Sequence, residues 1–264
     1  MIRVGVFGAG GRMGSTVCRA VHDAADLELV GAVDPFHAGI DLAQLGVKDA
    51  HLTVAAGPDA LTDARVQVAV DFTVLDAARE NLRWCAANAV HAVVGTTGFS
   101  EAELAEYADL FAASAANAVI APNFTIGAVL MMQFAEMAAP WFDTAEIIEL
   151  HHDRKIDAPS GTAVLTARRM AAASGDWSPD PTEKVVAEGA RGGAVDGIPV
   201  HSVRMRGLYA HQEVILGVAG QTLTIRHDSF DTACYMPGVL LAVRRVGELP
   251  GLTLGLDPLL QRPE

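Results

Sequence analysis

One fourteen-residue segment concentrates side chains that can move protons: Glu149-Leu150-His151-His152-Asp153-Arg154-Lys155-Ile156-Asp157-Ala158-Pro159-Ser160-Gly161-Thr162. A strand ends at the His pair, a Lys follows four residues after the first His, and Pro-Ser-Gly-Thr opens a helix. The N-terminus of that helix offers amides and two hydroxyls, which suits a carboxylate or phosphate. Lys155 adds a positive charge that can also give up its proton, as the chain's many arginines cannot. There are three Lys (Lys48, Lys155, Lys184) against sixteen Arg. Lys155 beside a His pair and an anion-binding turn is therefore a candidate general acid. Taken singly, Ser160 fits a helix cap, and a strand-end His or a loop Lys has an ordinary structural role. Their joint occurrence points to chemistry. No metal is expected, because adjacent strand residues face opposite ways and no Cys or third His stands near.

A second signal is Gly8-Ala9-Gly10-Gly11-Arg12-Met13-Gly14, which follows the first apolar strand and opens the first helix. Glycine allows a sharp turn and close approach to a pyrophosphate, which the helix N-terminus then faces. The spacing is G-x-x-G-x-x-G (Gly8, Gly11, Gly14), since Met13 holds the usual third glycine position. Asp34 ends the second strand twenty residues beyond Gly14, where an acid can hold a ribose hydroxyl. Two later turns, Gly95-Thr96-Thr97-Gly98 and Ala121-Pro122-Asn123-Phe124, follow further strands, where open parallel sheets bind ligands.

These groups need elements to hold them. Apolar strands are expected at Ile2–Phe7, 28–33, 66–72, His91–Val94 and 118–121, with helices at 13–22, 75–88 and 101–113. Strands alternating with helices predict βαβ units and a parallel sheet. Residues 35–65 have no regular pattern. Beyond Asn123 come a helix at 126–139, the strand 146–151 and a helix through Ala173. An irregular connection is expected at 174–197. Strands at 200–206, 212–217 and 222–227 then suggest an open mixed or antiparallel sheet. A helix at 237–246 precedes an extended tail.

The 264 residues carry 19 Lys and Arg against 32 Asp and Glu, a net charge of −13. That balance argues against nucleic acid or an anionic membrane as partner. With 51% hydrophobic and 19% charged residues, the composition is that of a compact globular protein. The longest apolar stretch, 126–141, is broken by Gln133, Glu136 and Pro140, so no membrane span is expected. The opening residues run straight into the first strand and its glycines, which predicts no secretory leader and a cytoplasmic protein. Cys18, Cys85 and Cys234 are widely spaced and read as reduced, mostly buried thiols.

The segment Glu149-Leu150-His151-His152-x-x-Lys155-x-Asp157-Ala158-Pro159-Ser160-Gly161-Thr162-Ala163 closely resembles the signature of the 4-hydroxy-tetrahydrodipicolinate reductase (dihydrodipicolinate reductase) family. The glycine turn and both later loops fall in that family's order, in the manner of its actinobacterial branch. The resemblance implies an α/β fold. A Rossmann-like parallel-sheet domain would span 1–123, completed by 229–264. An α+β domain with an open mixed sheet would span 124–228, bind substrate and build a homotetramer. It implies reduction of an unsaturated cyclic imine dicarboxylate, formed from the 4-hydroxy compound by loss of water, on the route to diaminopimelate and lysine. By the same resemblance Gly8, Ala9, Gly10, Gly11, Arg12 and Met13 hold the pyrophosphate and Asp34 the adenosine ribose. Gly95, Thr96 and Thr97, with Ala121, Pro122, Asn123 and Phe124, flank the nicotinamide. His151 is a proton donor or acceptor, Lys155 a proton donor, and His152, Gly161 and Thr162, with Ser160 beside them, contact substrate. Either His151 or Lys155 can give the proton to carbon. The chain departs from the family at Thr232, which stands where many members carry an Arg.

Asp34 can accept both ribose hydroxyls of NADH and repels the extra phosphate of NADPH. Pro35-Phe36-His37 follow it, with no Arg until Arg65. NADH is therefore the expected cofactor, with NADPH still usable because Arg12 lies in the glycine turn. Two other readings stay open at this point. A different two-domain nicotinamide dehydrogenase would share the glycine turn, yet has no need of His-His-x-x-Lys. A non-catalytic dinucleotide sensor would have no need of Lys155.

Overall fold

The computed structural model describes residues 1–260. Its elements run, in chain order, β1 (Ile2–Phe7), α1 (Arg12–His22), β2 (Leu27–Val33), α2 (Asp59–Asp63), β3 (Val68–Asp71), α3 (Leu75–Ala87), β4 (His91–Val94), α4 (Glu101–Ala112), β5 (Ala118–Ile120) and α5 (Ile126–Ala138). They continue with β6 (Thr144–His151), α6 (Gly161–Ala173), β7 (Gly193–Val195), β8 (Ile198–Arg204), β9 (Ala210–Val218), β10 (Gln221–Ser229), α7 (Met236–Arg245), β11 (Leu252–Leu254) and α8 (Asp257–Leu260). The chain divides into two compact units, one of residues 1–126 with 232–264 and one of residues 127–231.

The first unit holds a six-stranded parallel sheet in the order β11-β5-β4-β3-β1-β2. Its middle strands are short and apolar on both faces because helices cover both sides. All four residues of β3 are buried, as are Ala92–Val94 in β4. The strand order reverses direction at β1, between β2 and β3, which opens a crevice at their carboxyl ends. The glycine turn leaves β1 at that crevice, Asp34 leaves β2 and Asp71 ends β3. The irregular segment after β2 carries a 3-10 turn at Leu42–Leu45, the short α2, and bridges Val33↔Ala55 and Asp41↔Thr53.

The second unit is a mixed five-stranded sheet, β10-β9-β6-β8-β7. Only β6 and β8 run parallel, and α6 joins them toward one face. Ala145, Ile147 and Glu149 of β6 alternate inward and are buried. Gln212 on β9 docks α6 by donating to Thr166 Oγ1 at 2.8 Å.

Two expectations are corrected. The tail is not extended throughout: Leu252–Leu254 form β11, which pairs with β5 as the outer strand of the sheet, and Asp257–Leu260 form the short helix α8. Three residues give too short an alternation to read before the partner strand is known. Within the irregular connection, Gly193–Val195 form β7 against β8. Ending the chain at Leu249 should remove β11 and the buried Leu256 and Leu259, leaving β5 as a bare apolar edge. The expected result is largely insoluble protein, or a clearly lowered Tm in what remains soluble. Wild-type yield and Tm would contradict it.

Candidate active site

The crevice of the first unit is built by close packing. Gly8 adopts φ +69°, and a Cβ on Gly14 would lie 1.9 Å from the Gly8 carbonyl oxygen. Only glycine at position 14 lets α1 press onto the turn. The Gly8 and Ala9 amides donate to Val33 O at 2.8 and 3.2 Å. Asp34, 6% exposed, accepts from the Gly10 amide at 3.0 Å and from the Phe36 amide at 2.9 Å. The amides of Arg12 and Met13 begin α1, where helix geometry supplies no acceptor. This cradle fits a pyrophosphate, and a buried acid stands where a ribose would be held. His37, which carried no motif, places Nδ1 3.2 Å from Asp34 Oδ2.

The two later turns come together at the carboxyl ends of β4 and β5. Thr96, Thr97, Phe99, Leu104, Pro122 and Leu254 line a cavity of about 190 Å³. A cavity of about 150 Å³ takes a benzene ring, so this one has room for a single six-membered ring. Thr96 is buried and donates to Thr73 O at 2.8 Å. Asp71 secures Thr73 in turn, accepting from its amide and hydroxyl at 2.7 Å each, and accepts from Asn81 at 2.7 Å. Burial raises the Asp71 carboxyl above the usual range, against the pull of those hydrogen bonds. Ala9, Ala121 and Phe124 have side chains in the core, with Phe124 tilted on Phe72 at 5.7 Å. Asn123 Oδ1 accepts from the Thr125 amide at 2.8 Å, a turn-forming contact.

The second unit carries the residues whose side chains can exchange protons. His151 ends β6, and its Nδ1 lies 2.5 Å from Glu149 Oε2. Positions 149 and 151 share one face of the strand, so the acid two residues back reaches the ring. Lys155 Nζ, in the following loop, donates to both oxygens of Asp157 at 2.8 Å. Those bonds hold the Asp157 carboxyl below its usual range. Ser160 is 3% exposed, and its hydroxyl accepts from the Ala163 amide at 3.2 Å, so it caps α6. Gly161 and Thr162 then present the first amides of a thirteen-residue helix. His152 lies beyond the strand, with Nδ1 buried and unpartnered.

Two residues of this centre were not singled out from the sequence. Glu149 is wholly buried, and Arg204 at the end of β8 grips it with Nη1 and Nη2, each at 2.8 Å. Burial opposes ionisation of Glu149, but hydrogen bonds from His151, Arg204 and Ser202 outweigh it and hold the carboxyl at about 2. The period-two spacing of Glu149 and His151 was a signal available in the sequence. Arg204, fifty-five residues away, had none.

Elsewhere, Cys18 and Cys85 are buried, and burial pushes the Cys18 thiol up to about 12. Cys234 is half-buried. No helix among the described residues is long and apolar enough to cross a membrane.

The comparisons with known proteins extend over both units. The family models described as "Dihydrodipicolinate reductase, N-terminus" and "Dihydrodipicolinate reductase, C-terminus" match residues 2–124 and 127–260. A 4-hydroxy-tetrahydrodipicolinate reductase of Mycobacterium ulcerans is 51% identical over 261 residues, covering 98% of this chain and 99% of the relative. One from Nocardia farcinica is 50% identical over 264 residues, covering 98% of each. The structure of a dipicolinate-bound dihydrodipicolinate reductase from Paenisporosarcina superimposes with a TM-score of 0.88 at 40% identity, covering 98% of this chain and 100% of that one. With both halves matched and half of all residues shared along its length, the chain belongs to the dihydrodipicolinate reductase family.

Proposed function

We propose that this chain reduces 4-hydroxy-tetrahydrodipicolinate, through dihydrodipicolinate, to tetrahydrodipicolinate, with His151 and Lys155 handling the proton. Family membership makes it an NAD(P)H-dependent oxidoreductase of the route to diaminopimelate and lysine. The observation that carries the residue roles is the His151–Glu149 contact beside Lys155 at the N-terminus of α6. Residues 8–13 and Asp34 would hold the dinucleotide, and Thr96, Thr97 and Pro122 would flank its reactive end. When bound, the reduced nicotinamide supplies a hydride to the substrate ring. The enamine so formed needs a proton, which Lys155 Nζ can give, or His151 Nε2 when the ring is the doubly protonated imidazolium. A dianionic substrate needs donors, which Lys155, His152 and the Gly161 and Thr162 amides provide. The direct test is NADH consumption with substrate made in situ from pyruvate and aspartate semialdehyde. Absence of turnover would leave the sensor reading instead.

We place the protein in the cytoplasm and read it as a homotetramer. Strand β10 supports the assembly: residues 221–224 are all exposed along an outer strand of the sheet, Leu223 at 38%. Such an edge is normally covered.

Lys155→Ala, and separately His151→Ala, should lower kcat by about 10²–10⁴-fold while leaving NADH binding nearly unchanged. Near-normal turnover in both variants would remove the assignment. Pyridine-2,6-dicarboxylate should compete with substrate, being planar and doubly anionic; the Paenisporosarcina enzyme is the precedent for binding it. Thr162→Val should weaken that inhibition by about 1–3 kcal/mol. No competition at millimolar concentrations would count against the α6 N-terminus as the carboxylate site.

Cofactor choice follows from Asp34. Its buried negative charge favours NADH over NADPH, with Arg12 partly offsetting the repulsion. Asp34→Ala also loosens the glycine turn, so the informative quantity is the ratio of kcat/KM for the two cofactors. That ratio should move toward NADPH. An unchanged ratio would reduce Asp34 to a turn-capping residue, and a wild-type preference for NADPH would refute the reading.

A further inference from the structure

We propose that Glu149, neutralised by Arg204, is the positioning residue of the proton-transfer site, a proposal that rests on the reading of His151 as proton carrier. It fixes the tautomer of His151 and ties that ring to the loop bearing Lys155 and to the start of α6. Besides the Ser202 hydroxyl, four donors surround the oxygens of Glu149. Oε2 meets His151 Nδ1 at 2.5 Å and Arg204 Nη1 at 2.8 Å. Oε1 meets Arg204 Nη2 at 2.8 Å and the Ser160 amide at 3.1 Å. An ionised carboxylate only accepts, so the proton of the shared bond sits on Nδ1. That leaves Nε2 as the nitrogen that exchanges a proton with substrate.

Arg204 extends the reach of the carboxylate. Its Nη2 also donates to the Asp157 carbonyl at 2.6 Å, and the Asp157 carboxylate holds Lys155 Nζ. One ion pair thus reaches the imidazole, the lysine loop and the helix that offers amides. Arg204 also cancels a negative charge that would otherwise face a dianionic substrate. A bidentate guanidinium–carboxylate pair has little geometric freedom, which is what a positioning element requires. Its reach beyond its own two side chains sets it apart from an ion pair that only staples β6 to β8.

The experiment uses the full-length enzyme in three forms: Glu149→Gln, the charge-balanced double variant Glu149→Gln/Arg204→Met, and Glu149→Asp. Removing one member of a buried pair strands the other's charge, whereas replacing both is tolerated. Glu149→Gln should therefore lower Tm, and the double variant should recover it. Turnover should not recover: kcat is expected to fall about 10²- to 10⁴-fold in both, since loss of the carboxylate that orients a proton-transferring His leaves the wrong tautomer. The Kd for NADH should stay within about twofold. Glu149→Asp keeps the charge but draws the carboxylate back from His151, and should lose kcat with a smaller fall in Tm than Glu149→Gln. Proton–nitrogen correlation spectra of histidine-labelled protein give the second readout. Wild type should show His151 protonated at Nδ1, and all three variants should show a mixture. The proposal is overturned if Glu149→Asp or the folded double variant keeps kcat within about threefold, or if His151 stays Nδ1-protonated in them. If His151→Ala turns over normally, the reading of His151 fails, while the spectra still decide whether Glu149 sets the ring.

Discussion

A single buried carboxylate organises the second unit. Glu149 has no solvent of its own, so its charge persists only because Arg204, His151, Ser160 and Ser202 supply donors around it. That requirement draws together the ends of β6 and β8 and the N-cap of α6. The local conformation around His151 and Lys155 is thus tied to satisfying one buried charge. Loss of any donor would leave the buried charge less fully compensated, which is costly in a low dielectric.

The first unit meets a different constraint, one of distance rather than charge. Its turn after β1 works only if α1 approaches the Gly8 carbonyl closer than any side chain allows. Asp34 then anchors both the Gly10 and the Phe36 amides, one with each oxygen. Asp71 does the comparable work one strand over, holding Thr73 and through it Thr96. In both places a strand-terminal acid takes up loop amides, a natural economy where a parallel sheet ends. Arg244 of α7 pairs with Asp26 at 2.7 and 2.8 Å, pinning the returning C-terminal helix to the start of the sheet.

What could be read in the sequence followed from local rules. The alternation of strands and helices through Ile120, the glycine turn, Asp34, and the segment from His151 to Thr162 all rest on residues near one another in the chain. The resemblance added order along the whole length, and so the family. Ser160 as a cap was legible for the same reason, because a cap acts across three residues.

Tertiary structure decided whatever depends on partners far away in sequence. The outer strand β11 exists because β5 offers it a ladder, and three residues cannot announce that alone. Arg204 meets Glu149 only because β8 lies parallel beside β6, with His151 opposite Arg204. Phe124 and Ala121 sat within a ligand-loop motif, yet their side chains were drawn into the core, where burial of apolar surface outweighs exposure to a ligand. The chain's amino acids thus determined which groups were available for chemistry and roughly where each element began. The pairing of strands, which brings residues tens of positions apart within hydrogen-bonding distance, determined which of those groups act together.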